Sequence, residues 1–241
     1  MVLRMMKRIS IFCDFDNTIS TLDVGDELFK KYGNFEIHYN NFIAERYDVR
    51  ELNKQLCRSL KANLTFEEIN SFAIKQGIDA YFVKFVSFCK DNNINFTIVS
   101  DGYDAYINPI LQHHQLTFLP VFCNSLIKNS NNFEPYFYGA VESCNCTTAS
   151  CKRNVVINNS NDDDIIVYIG DGHTDFCGAE HSDIVFAKHL LAAYCNEKRI
   201  PHHPYKSFFD IYRILNNRIK TNNLPHRHQA KMKRKAAFEI E

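Results

Sequence analysis

The chain carries no surplus of charge. Among its 241 residues, 28 are Lys or Arg and 28 are Asp or Glu, so the formal net charge is zero. Proteins that hold nucleic acid or an anionic membrane surface usually carry a basic excess, so neither partner is expected. Long apolar runs are also missing, since none approaches the roughly 20 residues of a membrane span. The opening "MVLRMMKRIS" has the basic residues of a leader, but the apolar run that follows, Ile11-Phe12-Cys13, stops at Asp14. That run is too short for the apolar part of a secretory signal. These absences predict a cytoplasmic protein. The nine cysteines are odd in number. Cys13, Cys89 and Cys177 stand in apolar or motif-like settings where a small reduced thiol packs well.

What the chain does have is apolar residue, 45% of the total, which suits a core domain with or without a small insertion. Residues 8–13 read as a buried strand. Residues 21–91 carry helical signals and no good strand. "TLDVGDELFKKYG" places Leu22, Val24, Leu28 and Phe29 at helical spacing and stops at Gly33. "TFEEINSFAIKQG" has Thr65 as N-cap with Glu68 three residues on, and closes at Gly77. The stripe Tyr81, Phe82, Phe85, Phe88 reads as core packing. The pattern then changes. "INFTIVSDG" is a strand, and "YDAYINPILQHHQL" is a helix kinked or started by Pro109. "FLPVFCNSLI" and "NFEPYFYGAV" are strands around an Asn-rich turn. "CKRNVVINN" begins a helix, "DIIVYIGDGHTD" and "SDIVFAK" hold strands, and "SFFDIYRILNNRI" is a terminal helix. His202-His203, between two prolines, reads as a rigid surface loop. From residue 221 the core periodicity is lost, which predicts a basic, mobile tail.

Strands alternating with helices predict an α/β fold with a Rossmann-like parallel sheet. Its core spans residues 1–20 and 92–220, a helical cap covers 21–91, and the tail covers 221–241. In such sheets the site lies at the carboxyl ends of the strands. The unusual residues stand there: Asp14 and Asp16 in "DFDNT", Ser100 in "VSDG", Lys152 in "CKRN", and Asp171 and Asp175 in "GDGHTD". Two carboxylates closing a core strand repel each other and are costly to bury. A hard divalent cation offsets that repulsion. Mg²⁺ prefers oxygen ligands and draws in a phosphate. A carboxylate beside a phosphate can attack it, giving an aspartyl-phosphate, while a second carboxyl serves as acid and then base. Ser100 offers a hydroxyl to phosphate oxygens, and Lys152 a positive charge. Alone, "DFDNT" is a solvated turn and "SDG" or "GDG" an ordinary one. The weight lies in their joint order.

That order resembles the haloacid dehalogenase superfamily of aspartate-nucleophile phosphatases over residues 8–215. "DFDNTI", "VSDG", "CKRN" and "GDGHTD" resemble its four motifs in turn. The resemblance implies a haloacid dehalogenase-like fold with Mg²⁺ as cofactor. It makes Asp14 the nucleophile and a metal ligand. Asp16 becomes the acid/base, meeting the metal through its carbonyl. Asp171 is then a metal ligand, and Asp175 a supporting carboxylate. Thr18, Ser100, Asp101, Gly102 and Lys152 are the expected phosphate-binding residues. The helical insertion is similar to the cap of the phosphoserine-phosphatase-like branch. Phosphoserine phosphatases carry Glu nine residues after the nucleophile, where this chain has Asp23, a candidate for reading the substrate. They also carry "SGG" where Ser100-Asp101-Gly102 stands here. The expected partner is a small phosphorylated metabolite. Sugar or polyol phosphates come first, then the methionine-salvage ester handled by relatives in this branch, then phosphoserine. Arg46 and Arg50 are surface positions in preference to acid readers.

Two features stand outside this scheme. Cys144, Cys146 and Cys151 precede Lys152 at a spacing that admits zinc, with Cys123 or a His as fourth ligand, or else form a reduced loop that positions Lys152. Transfer of the phosphoryl group to an alcohol, a phosphate-holding module without turnover, and nucleic-acid binding by the tail are the competing functions.

Overall fold

The structure, a computed structural model, describes residues 8–139, 144, 146 and 148–239. The leader reading of residues 1–7, the end of the strand expected over 132–141, and the end of the tail lie outside them. In chain order the elements begin with β1 (Ile9–Cys13), α1 (Val24–Tyr32), α2 (Phe35–Ile43), α3 (Val49–Arg58), α4 (Phe66–Ala73) and α5 (Phe82–Asp91). There follow β2 (Asn95–Tyr103), α6 (Asp104–His113), β3 (Val121–Asn129), β4 (Asn132–Tyr136), α7 (Lys152–Asn158) and β5 (Ile165–Gly170). The last are α8 (Phe176–Glu180), β6 (Ile184–Ala187), α9 (His189–Glu197), β7 (His203–Pro204), α10 (Phe208–Lys220) and α11 (His228–Phe238). The strands form a seven-stranded sheet in the order β4-β3-β2-β1-β5-β6-β7. It is mostly parallel and flanked by helices, as the sequence predicts; β4 runs antiparallel to β3. Among the described residues no helix is long and apolar enough to cross a membrane.

The chain divides into two compact units, and the first comprises residues 1–14, 79–97 and 152–241. Every residue of β1, β5 and β6 is buried, as central strands covered on both faces require. Their apolar runs, ISIFC, IIVYIG and IVFA, need no alternation for that reason. The aromatic stripe is core packing: the Phe82 and Phe85 rings meet Phe96 and Phe208, and Phe88 meets Tyr212. These contacts hold α5 in this unit, so residues 79–91 leave the expected cap.

Two expectations are corrected here. His203 is not in a loop but in the short strand β7, opposite Phe186 of β6. The basic tail is not loose. Its residues 228–238 form α11, where the Arg234 guanidinium is buried, donates to His181 O at 2.6 Å and pairs with Asp183 at 3.3 Å. Arg227 donates its backbone N–H to the other Asp183 oxygen and its Nη2 to the carbonyls of Ala179 and Glu180. Basic spacing conveyed only solvation; a buried carboxylate far back in the chain supplied the partner.

The second unit comprises residues 15–78 and 98–151. Helices α1 to α4 lie here with no strand among them. Asp23 caps α1, accepting from Asp26 N at 2.8 Å, and Val24, Leu28 and Phe29 are buried as their spacing demands. Thr65 and Glu68 form the capping box of α4. Where β2 pairs with β3, Val99 faces Phe122 and Tyr103 faces Asn124, with a register shift between. The segment Ser100-Asp101-Gly102 therefore bulges out of the ladder, which turns it toward other partners. Ser130, with φ of 52°, closes the β3–β4 hairpin in the Asn-rich turn.

Candidate active site

In the first unit, Asp14 follows β1 directly. Its N–H still donates to Ile169 O at 2.9 Å, which holds it beside the carboxyl end of β5. Lys152 opens α7 and is fully buried. Its Nζ donates to Asp14 Oδ1 at 2.5 Å and to Asp175 Oδ1 at 2.7 Å. Asp175 also accepts from Tyr168 Oη at 2.8 Å, Asp171 N at 3.0 Å and Gly172 N at 2.9 Å. Those four donors fill a carboxylate's acceptor sites, so Asp175 supports Lys152 and has no oxygen to spare. Gly170 makes this fit: a Cβ there would stand 2.5 Å from Asp175 Cγ.

Asp14, Asp171 and Asp175 each place a carboxylate oxygen within 4.8 Å of the others, and all three are buried. The Lys152 ammonium bonds two of the three, Asp14 and Asp175. Burial, then the charge of Asp175, push the Asp14 carboxyl well above its usual range, and Lys152 pulls it back only in part. Burial alone would lower the Lys152 ammonium, but the two carboxylates reverse that and hold it above its usual value. The pocket is thus built of hard oxygen donors with more negative than positive charge. Mg²⁺ suits such a donor set. Within this unit Asp14 and Asp171 are able to hold it, since Asp175 is fully engaged.

In the second unit, the turn after Asp16 is set by Asn17, whose φ of 54° lies in the left-handed region that Asn tolerates. Asp16 Oδ1 accepts from Val24 N at 2.8 Å, and Oδ2 from the Tyr106 hydroxyl at 2.6 Å. Burial, then Asp16, push the Tyr106 hydroxyl well up, so it remains a donor. Ser100 is buried, and its Oγ accepts from Gly102 N at 3.0 Å, leaving its own O–H to donate elsewhere. Gly102 acts as a spacer: a Cβ there would lie 1.9 Å from Tyr106 Oη and 2.7 Å from Asp16 Oδ2. Thr18 is buried, with its N–H on Phe15 O at 3.2 Å.

The structure gives other work to two expected binders. The Asp101 carboxylate takes Ala149 N at 3.1 Å and Ser150 N at 2.6 Å, so it anchors the loop before Lys152. Asp23 spends one oxygen capping α1, and burial raises its carboxyl. Burial and then Asp23 raise its neighbour Asp26 to about 7. Arg46 is exposed and bonded to Asn41, as a surface residue would be, whereas Arg50 donates to Thr148 O at 3.3 Å.

Sequence reasoning missed Tyr106, Tyr168 and the Val24 N–H. Tyr168 did leave a signal, because a hydroxyl inside the apolar run "IIVYIG" must find a partner when the strand is buried. Tyr106 left none among twelve tyrosines.

Three comparisons bear on this geometry. The family model described as haloacid dehalogenase-like hydrolase matches residues 11–180. The 2-hydroxy-3-keto-5-methylthiopentenyl-1-phosphate phosphatase of Brevibacillus brevis is 28% identical over 88% of this chain and 96% of its own length. The protein of the same name from Bacillus cereus is 30% identical over 88% and 98%. A solved substrate-bound phosphoserine phosphatase complex has a TM-score of 0.66 at 19% identity, covering 86% of this chain and 98% of that one, and shares the fold. The chain therefore belongs to the haloacid dehalogenase-like hydrolases and is a phosphatase of that family.

Proposed function

We propose that this phosphatase hydrolyses a small phosphomonoester of the 2-hydroxy-3-keto-5-methylthiopentenyl-1-phosphate type through an aspartyl-phosphate. The observation that carries the mechanism is the fully buried Lys152 bonded to Asp14 and braced by Asp175. It pins one Asp14 oxygen and leaves the other to attack phosphorus. As the Asp14–phosphorus bond forms, the bond to the leaving oxygen breaks. Asp16, two residues on and held by Val24 N and Tyr106, gives that oxygen a proton. It then takes a proton from the water that attacks the acyl phosphate, which releases inorganic phosphate and restores Asp14. Asp14 and Asp171 would hold Mg²⁺, which when bound would supply positive charge against the phosphate.

The substrate follows the named relatives. Their coverage of 96% and 98% of their own lengths supports the methylthio ester over the sugar or polyol phosphates that the sequence put first. The chain has Asp23 where phosphoserine phosphatases read the amine with Glu, which speaks against phosphoserine. The test is phosphate release from a panel of this ester, a sugar phosphate, a polyol phosphate and phosphoserine, with and without Mg²⁺. The methylthio ester is expected to show the highest kcat/KM, and Asp14→Asn to abolish turnover. A sugar or polyol phosphate preferred by about tenfold, or 1.4 kcal/mol, would overturn the substrate. Turnover surviving in Asp14→Asn would overturn the mechanism.

A further inference from the structure

Three sulfurs that the phosphatase reaction does not use stand together in the second unit. The Sγ atoms of Cys144, Cys146 and Cys151 lie within 4.8 Å of one another, with Cys151 buried and the other two half-buried. Neither Cys123 nor a histidine belongs to this group among the described residues.

The frame around the sulfurs is already built. Asp101 fixes the N–H groups of Ala149 and Ser150. Ser150 Oγ donates to Asn124 Oδ1 at 2.6 Å, and Cys151 N donates to Gly139 O at 2.7 Å. The Thr148 hydroxyl sits 3.4 Å from Cys146 Sγ, and the Arg50 guanidinium holds the Thr148 carbonyl. The Thr148 hydroxyl also lies 2.8 Å from Ser150 O, so it ties the loop together beside that sulfur.

We propose that Cys144, Cys146 and Cys151 bind zinc as thiolates, in a structural site separate from the Mg²⁺-type site at Asp14 and Asp171. Sulfur donors at this separation are soft and select zinc, whereas Mg²⁺ takes oxygen. Each thiol gives up its proton on binding. Cys151 is followed directly by Lys152, so the ion clamps the chain where it enters the residue that holds Asp14.

The test is elemental analysis of tag-free full-length protein grown with zinc and purified without chelator. About one zinc per chain is expected. Cys144→Ser and Cys146→Ser, both at half-buried positions, should each lose most of it. Exchange with Co²⁺ should give a thiolate-to-cobalt charge-transfer absorption that Cys144→Ser weakens. Asp14→Asn, inactive by the mechanism above, should keep its zinc, which separates this site from the phosphatase reading. Wild-type protein without zinc, or undiminished zinc in both Cys144→Ser and Cys146→Ser, would overturn the proposal.

Discussion

Replacing Lys152 by Met keeps an apolar stem of similar length and removes the ammonium. The structure sets the size of the effect. The side chain is fully buried, and its two partners lie at 2.5 and 2.7 Å. Asp14 and Asp175 would remain as buried carboxylates facing Asp171 with no cation between them. Removing one partner of a buried ion pair costs about 3–5 kcal/mol. In a chain of this size each kcal/mol is about 2–4 °C, so Tm should fall by about 6–20 °C. The fall should be larger in EDTA than in excess Mg²⁺, because a bound dication partly replaces the lost charge. Asp175→Asn removes the repulsion on the far side. The double variant should then lose less than the sum of the single ones, with a coupling of about 0.5–3 kcal/mol. In phosphate-release assays kcat should drop about 10²–10³-fold, as on loss of a charge that faces the transition state. A Lys152→Met protein that melts within about 1 kcal/mol of wild type with zero coupling would refute the buried triad.

Other predictions follow from neighbouring geometry. Tyr106→Phe removes a donor from Asp16, which should lower kcat by about tenfold and move the Asp16 limb of the pH–rate profile upward. Gly102→Ala should also lower kcat with the fold intact by circular dichroism. Added to Tyr106→Phe it should cost less than alone, because the hydroxyl it strikes is gone. Burial holds the His181 imidazole down at about 4, so the unfolded chain binds the extra proton between about pH 6.5 and 4. Stability therefore falls as pH falls through that window, by up to about 3 kcal/mol. Urea midpoints at the two ends should converge in His181→Gln. Truncation after Asn223 strips Arg234 and the Arg227 N–H from buried Asp183. The expected loss is about 3–5 kcal/mol in urea unfolding, and an unchanged midpoint would contradict the docking of α11.

The local features of this protein were legible because they depend on near neighbours in the chain. Apolar runs made β1, β5 and β6; Thr65 and Glu68 made a cap; Asn17 made the turn after Asp16. Such patterns are short-range, and the order of four motifs was enough to place the acidic residues at strand ends. Partner choice was not legible, because it is made across as many as 154 positions by whichever group the fold brings into reach. Asp101 reads as one more acid of the site until Ala149 and Ser150 present their N–H groups to it. Asp175 and Asp171 look alike in "GDGHTD", yet Lys152, Tyr168 and two backbone donors fill Asp175. The tail reads as solvated because its pattern is basic, and it docks because buried Asp183 takes Arg234 as a charge partner. Burial converts an ordinary polar residue into one that must find a partner, and burial is decided only when the distant parts of the chain have met.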